Sequence, residues 1–136
     1  MVYRCDRRDT KKKEGGGVLI ALRNTFNAKI IDLSPIQNNF SQIDCLALEV
    51  LINGISYILM AMYIPPEITI ETYTSFFDYL IDITHVQVAC IIKLGDFNVP
   101  ELEETGNYEM YDSRSHVLIE FAFTLGLTQL NPIANE

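Results

Sequence analysis

Two residues two apart, Asp96 and Asn98 in Lys93-Leu94-Gly95-Asp96-Phe97-Asn98-Val99-Pro100, follow the apolar run Val88-Ala89-Cys90-Ile91-Ile92 and precede a proline. In extended backbone, positions i and i+2 face one side while i+1 faces the other. Asp96 and Asn98 are therefore expected to point together into a cleft, with Phe97 anchored in the core. A carboxylate there can hold a metal ion or orient and deprotonate a water. A carboxamide beside it both donates and accepts, so it can bind a phosphate oxygen or fix that water. The same spacing also suits an Asx-type turn that merely ends a strand.

The elements around this pair follow from periodicity. Residues 43–52 alternate, with Leu46, Leu48, Val50 and Ile52 on one face. Asn53-Gly54 follows, then a second β-rich run over 55–64, and Asn-Gly between two such runs predicts a type I′ hairpin. Pro65-Pro66 stops the second strand, because neither proline can donate to a ladder. The period then changes: Tyr73, Phe76, Phe77 and Leu80 form a helical stripe, with Thr69 as N-cap and Glu71 in the first turn. Residues 86–97 return to strand, apolar on both faces as in a central strand covered by helices.

Strand, helix and strand in that order make a βαβ unit with parallel strands. Parallel strands place their carboxyl ends on one sheet edge, where ligands of open α/β sheets bind. Tyr63 ends the first of these strands and Asp96 the second, so a phenol is expected to join the carboxylate and the carboxamide. Further along, residues 112–131 read as a helix with Leu118, Phe121, Ala122 and Leu125 on one stripe, Gly126 as its cap, and a strand beginning at Leu127. Upstream, a strand is expected from Val18 and a short one over Lys29–Leu33, with Ser34–Asn39 as a loop.

Composition narrows the class. The 136 residues are 49% hydrophobic and 21% charged, which suits one folded domain. No apolar run reaches the roughly 18–20 residues of a membrane helix. The N-terminus has no basic stretch leading into an apolar core, so secretion is not expected and a nuclear or cytoplasmic location is. Cys5, Cys45 and Cys90 show no metal spacing and read as buried free thiols in a reducing compartment. The net charge is −8, yet six of the ten basic residues lie between Arg4 and Lys13. That run reads as a solvated loop or as an arm contacting phosphates, with Arg4, Arg7 and Arg8 as candidate nucleic-acid contacts.

The motifs taken together resemble the endonuclease/exonuclease/phosphatase family, most closely the endonuclease domain of insect-type non-LTR retrotransposons. Tyr3-Arg4-Cys5-Asp6-Arg7, Gly15-Gly16-Gly17-Val18, Tyr63-Ile64-Pro65-Pro66, Gly95-Asp96-Phe97-Asn98 and Gly126 to Asn131 occur in the family's order, across nearly the whole sequence. The resemblance implies a deoxyribonuclease-like, four-layered α/β sandwich with mixed sheets. Residues 1–136 would be a single partial domain, incomplete at both ends. It further implies magnesium-dependent hydrolysis of a DNA phosphodiester, within a polyprotein that also carries a polymerase. Asp96 would activate the water or help hold metal. Asn98 would bond the scissile phosphate or assist the metal, and Tyr63 would face the phosphate. The family's upstream asparagine and glutamate and its downstream Ser-Asp-His have no counterpart here, and neither His85 nor His116 fits that histidine. The expectation is therefore an endonuclease fragment, inactive alone and with one sheet face lacking its partner. A non-catalytic domesticated remnant or binding module, or a phosphatase of the same fold, is the alternative.

Overall fold

The computed structural model describes residues 1–6, 16–84, 90–99 and 112–128. Arg7, Arg8 and the basic run through Lys13 lie outside them, as do His85 and the Gln129–Asn131 end of the last motif. The protein is mixed α/β, with parallel and antiparallel pairing in one sheet and three helices among the described residues. It divides into two compact units.

The first unit holds all six strands of the described residues. β1 (Val2–Asp6) pairs antiparallel with β2 (Gly17–Ala21). A second sheet runs in the order β3 (Asn27–Ile30), β4 (Asp44–Ile52), β5 (Ile55–Tyr63), β6 (Cys90–Asp96). The β4–β5 hairpin turns at Asn53-Gly54, where φ is 51° and 81°, the positive values that a type I′ turn demands at both central positions. β5 and β6 pair in parallel from Tyr57↔Cys90 to Tyr63↔Asp96. The expected hairpin and the expected parallel pair are both present. Among the described residues, β6 stands at the end of this strand order. An apolar run on both faces reports what covers the faces, not how many strands flank the edges.

Two stretches read as irregular are ordered elements. Residues 4–6, the start of the basic run, belong to β1, whose alternating exposure leaves Arg4 outward and Tyr3 and Cys5 inward. Ser34–Asn39 is a helix, α1, not a loop. Asp32 Oδ1 accepts from Ser34 N at 2.9 Å, Pro35 sits in the first turn, and Ile36 is buried. Six residues are too few to display a 3.6-residue period, so pattern alone misses such a helix. The expected strand over 29–33 is shifted, because β3 ends at Ile30.

One face of the second sheet is not bare, contrary to expectation. Leu46, Leu48 and Val50 pack with Ile20 of β2, flanked by Tyr3, Cys5, Val18 and Leu59. The opposite face of the hairpin is buried as well, at Cys45, Ala47, Met60 and Met62. Cys45 and Cys5 are free thiols, the first buried and the second half-buried; the side chain of Cys90 lies outside the described residues. Burial pushes the Cys45 thiol up to about 12, with Cys5 nearby adding to the shift.

The second unit contains α2 (Ile70–Thr84) and α3 (Ser113–Thr124). Thr69 Oγ1 accepts from Thr72 N at 3.3 Å, the expected N-cap. Tyr73, Phe76, Phe77 and Leu80 are all buried, so the apolar stripe is the packed face. Phe77 meets Phe121 of α3 with ring centroids 4.6 Å apart, and Tyr73 at 4.9 Å. Such tilted pairs add about 0.5–1.5 kcal/mol each beyond burial. The Arg114 guanidinium donates to Ile68 O and lies 5.8 Å from the Tyr73 ring centroid, which ties the start of α3 to the residues leading into α2. Asp112 caps α3 by accepting from Ser115 N at 2.8 Å. Its far end closes in a Schellman arrangement: Leu127 N donates to Ala122 O, Gly126 N donates to Phe123 O, and Gly126 takes φ 62°.

Candidate active site

Tyr63 and Asp96 are direct partners in the parallel ladder. Paired residues share a sheet face, so phenol and carboxylate emerge side by side at the carboxyl ends of β5 and β6. Two local features fix the pair. Ile64 N donates to Asp96 O at 3.1 Å, extending the pairing past the last ladder residue. Gly95 permits the close approach: a Cβ there would lie 2.1 Å from Met62 O, so no larger residue fits this backbone. Asp96 is exposed and Tyr63 half-buried.

The ladder also brings in a residue that sequence reasoning passed over. Asp44, the first residue of β4, is the antiparallel partner of Tyr63. Asp44, Tyr63 and Asp96 thus form a transverse row on one sheet face, with the phenol between two carboxylates. Asp44 is only 4% exposed, a rare position for a charged residue. It lines a small recess with Cys5, Asp6, Gln37, Ser41 and Ile43. Gln37 Nε2 donates to Cys5 Sγ there at 3.6 Å.

Asn98 belongs to the second unit, and its φ is 51°. Side chains alternate only along extended backbone, and Asn98 has left it. Asparagine is among the few non-glycine residues that adopt this left-handed conformation readily. Phe97 is half-buried rather than anchored in the core. Arg4, expected to touch nucleic acid, makes an ion pair with Asp6 in which both side chains are more than half exposed.

The described residues offer an incomplete fit to magnesium. Mg²⁺ takes one or two protein carboxylates together with water and phosphate oxygens, and Asp96 can serve as one exposed carboxylate. Among the described residues, no group of three histidine, cysteine or acidic side chains is placed to hold a metal ion. Also among them, no helix is long and apolar enough to cross a membrane. Comparison with protein-family models, with curated proteins and with solved structures gave no match.

Proposed function

We propose that this protein holds part of a phosphodiesterase site of the endonuclease/exonuclease/phosphatase type, acting on DNA as a retrotransposon endonuclease fragment. The observation that carries the reading is the pairing of Tyr63 with Asp96 at the carboxyl edge of the parallel strands, within motifs that resemble the family's in order. The exposed Asp96 carboxylate is suited to accept a proton from an attacking water. The Tyr63 phenol, held beside it, can donate to a phosphate oxygen and favours the extra negative charge of the pentacoordinate phosphorus. Asp96 would serve as one carboxylate for the magnesium ion, which when bound supplies positive charge against the same developing charge. A polymerase in the same polyprotein is the partner this reading implies, and a nuclear or cytoplasmic setting is where its substrate lies.

The test is a nicking assay on supercoiled plasmid in magnesium. The 136 residues alone are expected to nick negligibly, whereas a longer form with the flanking sequence nicks. Asp96→Ala in the longer form is expected to lose on the order of 10³-fold or more, because catalytic groups acting as a unit lose most of the rate together. Full activity of that variant would overturn the assignment. A second reading, a non-catalytic remnant or binding module, is favoured by the net charge of −8, which opposes tight phosphate binding. It predicts a longer form that folds and nicks no DNA.

A further inference from the structure

Far from the candidate site, the tip of the β4–β5 hairpin sets up a different chemistry. Asn53-Gly54 is the one Asn-Gly pair in the sequence. Both residues are exposed. The ladder closes at Ile52↔Ile55, which leaves the Gly54 amide outside it. Neither Asn53 nor Gly54 takes part in a hydrogen bond among the described residues. Apart from its two chain neighbours, nothing lies within 4 Å of where a Gly54 Cβ would sit, so the turn stands in open space at this residue. An unbonded amide nitrogen, an adjacent carboxamide in water and a residue without a Cβ to hinder ring closure are the elements of intramolecular amide attack.

We propose that Asn53 is a site of spontaneous, non-enzymatic deamidation. The Gly54 amide nitrogen attacks Cγ of Asn53. A new bond from that nitrogen to Cγ closes a cyclic imide, the bond from Cγ to Nδ2 breaks, and ammonia leaves with the proton of the Gly54 amide. Water then opens the ring at either carbonyl, giving aspartate or isoaspartate. One water is consumed and one ammonia released, with no oxidation or reduction. Isoaspartate routes the backbone through the former Cγ and so lengthens the turn. Turn geometry sets hairpin register; the product therefore loosens the pairing that begins at Ile52↔Ile55 and ends at Asp44↔Tyr63.

The experiment ages the intact protein in warm buffer near neutral pH, beside a synthetic peptide of residues 49–58. Peptide mapping by mass spectrometry and labelling with an isoaspartyl methyltransferase follow conversion. Conversion at Asn53 in the folded protein is expected at a rate within severalfold of the peptide's, while Asn24 and Asn27 stay intact. Asn53→Gln is expected to remove the methyl-accepting product. An intact Asn53 in the folded protein after the peptide has been consumed would overturn the proposal, since it would show that the turn holds the two groups apart.

Discussion

At its tip the β4–β5 hairpin exposes Leu51, Asn53, Gly54 and Ile55, while at its base Asp44, Met62 and Ile64 are buried. Both ends depend on a glycine, for opposite reasons. Gly54 supplies a backbone conformation in open space, with φ at 81° and no atom near its missing Cβ. Gly95, beside the base, supplies absence of volume against Met62 O. One end of the sheet is thus governed by torsion and the other by contact. The end governed by contact is the one that holds Tyr63 and Asp96, and there position is fixed by atoms that cannot move apart independently.

The largest effect should come from filling the crowded end. Gly95→Ala is expected to destabilise the protein by about 3 kcal/mol, the upper part of the range for overpacking, as read from urea unfolding. A cost below that of Gly54→Ala would break the contrast between the two ends. Next comes Lys93, which lies on β6 on the face opposite the Asp44 row, its Nζ shielded from solvent. Burial lowers its pKa from 10.5 to about 7, opposed in part by the Cys45 thiol. Between these values the unfolded protein binds the extra proton, so stability climbs as pH rises from about 7 to 10.5. The slope is at most about 1.4 kcal/mol per pH unit. Lys93→Met should flatten that slope in denaturation curves taken across the window; an unchanged slope would assign it to other groups.

At the tip, Gly54→Ala should cost about 1–2 kcal/mol, the penalty of the left-handed region for a residue with a Cβ. The hairpin should otherwise keep its register, visible as unchanged cross-strand amide contacts in NMR spectra. The smallest effect is expected from Arg4→Ala. Its ion pair with Asp6 is exposed on both sides, and such pairs contribute about 0–1 kcal/mol. A larger loss on thermal unfolding would mean that Arg4 anchors β1 through more than its charge.

The hairpin is the most legible element because its turn chemistry and alternation agree. Once Asn53-Gly54 is taken as a two-residue turn, the partner of every residue is determined, and Asp44 opposite Tyr63 follows from counting outward. The buried aspartate escapes notice because a lone charge at a strand start reads as surface. Helix α2 is legible for the same reason as the hairpin: its stripe and its Thr69 cap point the same way. α1 and β1 are not legible, being short and held by particular contacts, Asp32 to Ser34 and the β2 ladder. Asn98 shows the limit of periodicity. Alternation describes extended backbone, and nothing in the local sequence announces that the asparagine has left it.

The register of this hairpin also constrains how the sequence can change over generations. A single residue gained or lost in either arm, between Asn53-Gly54 and the base, would move Tyr63 to the other sheet face or set it opposite a different neighbour. Length changes are therefore tolerable here only as matched pairs, one in each arm, or within the turn itself. Relatives of this protein should preserve the count from turn to tyrosine more strictly than the identities of the residues being counted.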